Sequence, residues 1–267
     1  MGKEAKGQRW IDKVDESELN KSYAEIKKDI NSSRDKKFDF EQLDIIFELA
    51  KKDRDLFPGF KMGRDPSAKK YMNHWVSCYC KDIENPASDR KANPKSSCSD
   101  PVVKAMVQQV KQVEDKIIDA QEKTHIIFMS AENVLGNLLE EYIASKVKPY
   151  GWIWCAGKTL SAIDFCNEKG TELLQIKNKS NSENSASEKV RDGTTIRKWF
   201  RLGTSSRGGE LFPVYKWDQL NEIVNKYGTK KVDEYGKPLG NCNMTEEEFQ
   251  KFIKGVIKKN PEIITEK

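Results

Sequence analysis

Three polar residues near the middle of this 267-residue chain carry groups that could act on a phosphodiester. Ten residues separate Asp164 from Gln175, and a single residue separates Gln175 from Lys177. A carboxylate and a carboxamide offer oxygen ligands to a divalent cation, and an ammonium can stabilise charge on a phosphate. The spacing Asp-x10-Gln-x-Lys therefore raises the question of which elements would bring the three groups together.

The chain around these residues is typical of two short strands joined by a turn. Residues 161–166 and 172–177 are rich in apolar side chains, and the turn between them ends at Gly170. Because side chains alternate along a strand, the three polar residues share one face. The opposite face suits a core, and it carries Ile163, Phe165, Leu174 and Ile176.

A helix is predicted upstream, over residues 130–143, with Ser130 as its N-cap and the pattern Gly136-x-x-x-Glu140. Hairpin and helix together resemble the PD-(D/E)xK nuclease superfamily, in the variant where Gln or Asn replaces the usual second acid. This variant occurs among Type II restriction endonucleases such as MspI. The resemblance covers roughly residues 126–227. Some details also suggest the SinI-type enzymes, which cut at GGWCC.

The resemblance implies a role for each polar group of the hairpin. Mg²⁺ would be held by the Asp164 carboxylate, the Gln175 carboxamide and the main-chain carbonyl of Ile176. A carboxamide adds no negative charge, so the scissile phosphate would supply part of the charge that holds the ion. Lys177 would bind the attacking water and stabilise the charge that builds on the phosphate. The predicted catalytic residues are Asp164, Gln175, Lys177 and Glu140.

Position decides between the nearby glutamates. Glu140 would reach a metal-bound water from the upstream helix, and the adjacent Glu141 is its alternative because one of the two must face elsewhere. Glu172 shares the face of Leu174 and Ile176, so we expect it to be a solvated residue at the end of the strand.

Positive charge is concentrated directly after the predicted site. The whole chain has a formal net charge of +5, and residues 177–207 contain eight bases and three acids. This distribution favours a grip on a polyanion, with an ordinary solvated basic face as the alternative. Asn and Arg side chains suit base edges, and basic side chains also bind phosphates. The predicted DNA contacts are Asn178, Lys179, Asn181, Asn184, Arg191, Arg197, Lys198 and Arg201.

The order of elements favours an α/β fold with a restriction-endonuclease-like core, in which helices flank a central mixed β-sheet. We expect a mostly helical N-terminal region over residues 1–125 and the nuclease core with C-terminal helices over residues 126–267. A flexible turn is expected at 203–209. Apolar periodicity predicts a first strand within 150–157 and helices at 39–52, 68–82, 101–123, 194–202 and 217–226.

Cysteine content and hydropathy limit other classes of protein. Six cysteines in a chain of this length do not indicate a disulfide framework. His74-x3-Cys78-x-Cys80, with Cys98 further on, leaves a zinc site open beside buried or free thiols, although the spacing departs from the usual Cys-x2-Cys. No secretory or membrane-spanning segment is visible, so we expect a cytoplasmic protein.

We therefore expect a Type II restriction endonuclease that hydrolyses double-stranded DNA with Mg²⁺ and leaves 5′-phosphate ends. Cutting both strands of a palindromic site favours a homodimer, and a monomer stays open. Val103, Met106 and Val110 form an apolar helical stripe that would be core or dimer seam. The alternatives are a repair or structure-specific nuclease of the same superfamily and a non-catalytic DNA-binding protein.

Overall fold

The structure is a computed structural model that describes residues 9–94, 99–179 and 195–265. Within these ranges the chain forms seven α-helices and a five-stranded β-sheet. This is the α/β architecture that the sequence predicts, with a helical N-terminal region ahead of the strands. The positions outside the described residues include Cys98, Asn181, Asn184 and Arg191.

The helices begin where the sequence supplies capping groups. Asp15, for example, accepts a hydrogen bond from the amide of Ser17 at the start of the first helix. The helices predicted at 39–52 and 68–82 are confirmed. The bounds are α1 Glu16–Ser32, α2 Glu41–Lys52, α3 Ala68–Glu84, α4 Pro101–Lys111, α5 Asp115–Val147, α6 Trp217–Tyr227 and α7 Glu246–Lys259.

The single helix predicted over 101–123 is wrong, because the chain breaks at Gln112. This residue adopts the left-handed conformation, with φ of 53°, and ends α4. Glycine is the usual residue there, so no stop signal marks the break in the sequence. α5 then begins at Asp115 and runs without interruption past Ser130. Ser130 is therefore an interior residue of the helix and not its N-cap.

The sheet is mixed, and its strands lie in chain order. Neighbouring strands are antiparallel except for the third and fourth, which are parallel. The first strand lies within residues 150–157, as predicted. The bounds are β1 Trp152–Trp154, β2 Phe165–Asn167, β3 Leu173–Lys179, β4 Ile196–Arg207 and β5 Glu210–Tyr215.

The helix predicted at 194–202 is wrong, since β4 begins at Ile196 and includes the described residues up to 202. Ile196, Trp199 and Phe200 are buried as expected, but they are buried in a strand. The cause is tertiary: β4 runs parallel to β3, with Phe200 opposite Lys177. Pairing with a distant strand overrides local helical propensity, and local periodicity does not report it.

β4 and β5 are joined by a tight two-residue turn. Gly208 and Gly209 have φ of 60° and 84°, and Arg207 lies opposite Glu210 across the turn. A two-residue hairpin turn needs left-handed backbone at both central positions, which glycine adopts without strain. The flexible turn expected at 203–209 is therefore limited to its last two residues, because the others belong to β4.

Contacts divide the chain into two compact units. The first comprises the described residues within Met1–Pro86 and Ile143–Glu246, and the second those within Ala87–Tyr142 and Glu247–Lys267. These units do not coincide with the predicted division between residues 125 and 126, which falls inside α5.

One hydrophobic core joins the N-terminal helices to the sheet in the first unit. Trp75 of α3 is fully buried, and its indole Nε1 donates to the carbonyl of Thr159 at 2.8 Å. Ile153, Cys166 and Leu173, from the first three strands, belong to the same cluster. Burial of each such side chain stabilises the fold by roughly 1.5–3 kcal/mol. The N-terminal helices therefore support the strands that carry the polar residues.

The second unit has an apolar cluster of its own. Leu138 of α5 and Val256 of α7 are both buried in it. Nearby, the Glu141 carboxylate accepts hydrogen bonds from the amide and the hydroxyl of Ser88. None of the helices in the described ranges is both long and apolar enough to cross a bilayer.

Candidate active site

Asp164 is held directly before β2 by both neighbouring strands. Its amide donates to the carbonyl of Leu174 in β3, and its carbonyl accepts from the amide of Cys155 beside β1; both distances are 2.9 Å. Ala162, two residues earlier, adopts the left-handed conformation with φ of 63°. That conformation is rare for a residue with a Cβ atom and is found most often near functional sites.

The Asp164 carboxylate reaches across to β3. Its Oδ2 accepts a hydrogen bond from the amide of Ile176 at 2.6 Å. Phe165 and Leu174 are the last paired residues of β2 and β3. Beyond them, the Asp164 side chain accepts the hydrogen bond that a main-chain carbonyl would accept in a regular ladder. The carboxylate thereby lies beside Ile176, the residue between Gln175 and Lys177.

Gln175 and Lys177 follow on β3 beyond the last paired residues of the hairpin. The pairing ends with Phe165 opposite Leu174, and the Asp164 amide bonds Leu174 instead of continuing that register. Gln175 is half-buried, and Lys177 is exposed and near enough for its charge to lower the pKa of Asp164. Further inside, Cys166 and Leu173 are buried on this face. The polar face that the sequence predicts is therefore limited to the outer end of the hairpin, because the core covers both faces at the inner end.

The main chain of β3 contributes one more oxygen. In an extended strand, the N–H and C=O of one residue point to the same side. Because the Ile176 amide points to Asp164, its carbonyl faces the same edge. The edge therefore combines a carboxylate and a main-chain carbonyl.

Burial raises the pKa of Asp164 above the usual value for an aspartate. The amide of Ile176 and the positive charge of Lys177 lower the pKa, but burial outweighs them. No other described residue donates a hydrogen bond to the carboxylate, so Oδ1 has no donor within the described chain. A mostly buried carboxylate in this condition fits a hard cation, which would stabilise its charged form.

The zinc alternative gains no support within the described residues. Cys78 Sγ lies 3.7 Å from His74 Nε2, but no group of three or more His, Cys, Asp or Glu side chains is arranged to hold a metal there or elsewhere in those ranges. Cys80 is buried, and burial raises the pKa of its thiol to about 11. Cys80 is accordingly a protonated thiol of the packed interior.

Glu172 is not the solvated residue that strand parity predicts. Its Oε2 accepts from Nε of Arg197 at 2.8 Å, and both side chains are about one-fifth to one-third exposed. The guanidinium of Arg197 also lies 4.3 Å from the ring centre of Tyr227. Arg197, a predicted DNA contact, is therefore engaged within the protein.

Arg201 is buried, which favours a structural role over the predicted contact with DNA. Its Nη1 donates to both carboxylate oxygens of Glu246 at 2.7 and 2.9 Å, and its Nε donates to Oδ1 of Asn178 at 2.9 Å. The indole of Trp217 donates to the same carboxylate at 2.9 Å. Glu246 is 45 residues from Arg201, so no local signal in the sequence reveals the pair.

The other predicted DNA contacts divide into two groups. Asn178 is half-buried and its side-chain oxygen is bound to Arg201, whereas Lys179 is exposed and Lys198 half-exposed. Lys179 and Lys198 therefore stay predicted contacts. Asn181, Asn184 and Arg191 lie outside the described residues.

The two glutamates of α5 differ in their surroundings. Glu141 is bound by Ser88, so its carboxylate is used inside the second unit. Glu140 is half-buried and belongs to the same unit, whereas Asp164 belongs to the first. A catalytic role for Glu140 stays a prediction.

Known proteins align with most of the length of this chain. The family model described as SinI restriction endonuclease matches residues 23–258. Type II restriction enzyme Eco47I from Escherichia coli is 33% identical over 203 residues, which cover 73% of this chain and 79% of that protein. Type II restriction enzyme SinI from Salmonella infantis is 32% identical over 176 residues, which cover 64% and 66% respectively. The chain belongs to the SinI restriction endonuclease family.

Proposed function

We propose that this Type II restriction endonuclease hydrolyses double-stranded DNA with Mg²⁺ held at Asp164, on the PD-(D/E)xK plan. The protein ligands would be the Asp164 carboxylate, the Gln175 carboxamide and the Ile176 carbonyl, all oxygen atoms, as Mg²⁺ prefers. The observation that carries the proposal is the mostly buried carboxylate at the hairpin edge, with its raised pKa and its single donor. Bound Mg²⁺ would supply charge that polarises a phosphate oxygen and acidifies water.

Lys177 is the residue of this chain that would act on the reacting water. Its side chain is exposed, and its charge is near enough to lower the pKa of Asp164. An ammonium at this edge can hydrogen-bond the attacking water and stabilise the charge that develops on the phosphate. In-line attack at phosphorus would leave a 5′-phosphate and a 3′-hydroxyl. A catalytic role for Glu140, with the adjacent Glu141 as its alternative, is part of the same proposal.

We further propose that the enzyme acts as a homodimer on a short palindromic site, since two-fold proteins match two-fold sites. Support comes from α4, in which no residue is buried. Val103, Met106 and Val110 are 53%, 65% and 81% exposed, so this stripe is not part of a core within the described chain. An exposed apolar stripe of this kind favours a seam with a second copy.

Digestion of a plasmid in the presence of Mg²⁺ tests the proposed function. We expect discrete fragments whose ends map to one short sequence and which DNA ligase joins directly, because they carry 5′-phosphates. GGWCC, the site that SinI-type enzymes cut, is the first sequence to compare, since the chain belongs to the SinI family. A smear would contradict sequence-specific cutting, and an intact plasmid that shifts on a gel would contradict cutting altogether.

Two aspartate variants locate the activity. Asp164→Ala should bind the mapped site and fail to cut it. Asp218→Ala, which changes an exposed aspartate of α6, should cut like the unmodified enzyme. Cutting by Asp164→Ala would show that the site lies elsewhere.

A further inference from the structure

The outer part of β4 and the whole of β5 extend beyond the body of the sheet. Within the described residues, β3 pairs with β4 as far as Leu202, and beyond Leu202 the described partner of β4 is β5. All six residues of β5 are exposed. We call residues 203–215 the hairpin arm. Neither face of its outer strand is covered by another described element, so the arm is available to a partner.

The base of the arm is firmly anchored. The indole of Trp199 donates to the carbonyl of Lys216 at 2.9 Å, and the amide of Lys216 donates to the carbonyl of Arg201 at 3.0 Å. The buried ion pair between Arg201 and Glu246 lies at the same level. An element with a fixed base presents its side chains in a defined direction, which specific recognition needs.

The arm starts beside the candidate active site and has the reach of a short DNA site. Phe200 lies opposite Lys177, and Arg207 ends β4 at the tip. Seven strand residues at about 3.3 Å each give roughly 23 Å, which corresponds to about seven base pairs at 3.4 Å per step. The tip can therefore contact bases while the site engages a phosphate of the same duplex.

The side chains on the arm suit base edges. Thr204 and Ser206 carry exposed hydroxyls, and the exposed Arg207 stands at the tip. Leu211 and Phe212 are 72% and 42% exposed, and apolar groups of this kind contact thymine methyls. A two-stranded β-ribbon fits the major groove, which is about 12 Å wide.

An exposed edge strand can also pair with a strand of a second copy, but the edge of the arm disfavours such pairing. Pro213 lies opposite Thr204. Arg207 and Glu210 close the turn, and Thr204–Pro213 is the third pair beyond them. By the alternation of the ladder, this is a position whose N–H would point outward, and proline has none. The outer row of donors is thus interrupted, as in strands protected against edge-to-edge pairing.

We propose that the hairpin arm enters the major groove of the target DNA and that Thr204, Ser206 and Arg207 read base edges there. The inference rests on the proposed function and names the part of the chain that selects the sequence. It also gives the buried Arg201 a role, because Arg201 anchors the element that would make the contacts.

A binding measurement on the full chain tests the proposal separately from cutting. In an Asp164→Ala background, we compare affinity for a duplex with the mapped site and for the same duplex with one base pair of the site changed. Adding Thr204→Ala, Ser206→Ala and Arg207→Ala should lower the ratio of the two affinities at least about tenfold. Affinity for the altered duplex should fall less than about threefold. Adding Tyr235→Ala, at a 79% exposed residue outside the arm, should leave the ratio unchanged.

An unchanged ratio in the triple variant would overturn the proposal. Failure of the unmodified enzyme to cut any plasmid would instead overturn the proposed function, so the two failures are distinguishable. A photo-crosslinking residue at Leu211 gives a second readout that does not depend on the triple variant. We expect adducts with the target duplex, whereas adducts with a second protein copy, or none, would refute the proposal. The same residue at Tyr235 is the control and should give no DNA adduct.

Discussion

Two mostly buried carboxylates, Asp164 directly before β2 and Glu246 at the start of α7, have different hydrogen-bond partners. The guanidinium of Arg201 donates to both carboxylate oxygens of Glu246, and the indole of Trp217 donates to one of them. Asp164 receives one main-chain amide, from Ile176, and its pKa is raised by burial. A buried carboxylate whose hydrogen-bond and charge partners all come from the protein stabilises the fold. A buried carboxylate with few such partners can bind a cation from solution.

The comparison explains why a structural pair and a catalytic group look alike in the sequence. Acids and bases are abundant in this chain, and their type alone does not show which are paired. The cost of burying a charge is what separates them, because it must be met by a partner within the chain or by a ligand. Substitution of Glu246 should therefore lower the stability of the fold, whereas substitutions around Asp164 should lower DNA cleavage.

The largest effect is expected at Glu246. Glu246→Ala leaves the buried guanidinium of Arg201 without its partner, which should lower the free energy of unfolding by roughly 3–5 kcal/mol. Urea denaturation measures the loss. Glu172→Ala is the matched control, because it removes the partner of the more exposed Arg197 and should cost only about 0–1 kcal/mol. Equal losses in the two variants would remove the basis of the comparison.

The next largest effect is expected at Lys177. Lys177→Ala should slow cutting of the mapped site about 10²–10³-fold, since it removes a group that stabilises developing charge. The free energy of unfolding should be nearly unchanged, because the side chain is exposed. Single-turnover cleavage and urea denaturation measure the two quantities. Lys169→Ala, in the exposed turn of the same hairpin, is the control and should cut normally. A folded Lys177→Ala enzyme with full activity would exclude this residue from the mechanism.

A smaller and graded effect is expected from pH. Burial raises the pKa of Asp164, so cutting should be lost as pH falls at values above those of an ordinary aspartate. Below that point the rate should fall about tenfold per pH unit, because only the ionised carboxylate holds a cation. Raising the Mg²⁺ concentration should move the midpoint to lower pH, since cation and proton compete for one group. If the midpoint does not change with Mg²⁺ concentration, the group that titrates is another residue.

Much of the candidate site could be predicted from the sequence because its parts are local. Asp164, Gln175 and Lys177 lie in one hairpin, where strand parity and a glycine turn determine which side chains meet. The same holds for the helices at 39–52 and 68–82, which have strong apolar periodicity. Parity failed only for Glu172, where a basic partner on β4 holds the acid in place.

The remainder depends on partners far apart in the chain. Local periodicity predicts a short helix at the start of β4, whereas pairing with β3 and β5 makes it a strand. Arg201 looks like a DNA contact until Glu246 is placed beside it. The N-terminal helices matched nothing by motif, yet Trp75 and the strands share one core, and the family match begins at residue 23. Local patterns carry no record of such contacts, because tertiary packing decides them.

The most direct test is a set of melting curves for the unmodified enzyme and Asp164→Asn, with a chelator and with Mg²⁺. A raised pKa means that ionisation of Asp164 costs stability as pH rises through that pKa, so the neutral amide removes this cost at pH 7. We predict that, without metal, Asp164→Asn melts higher, by about 2–4 °C for each kcal/mol gained. Mg²⁺ should raise the melting temperature of the unmodified enzyme alone, and only that enzyme should cut. An Asp164→Asn variant that melts lower and responds to Mg²⁺ like the unmodified enzyme would contradict the assignment of Asp164 as the cation ligand.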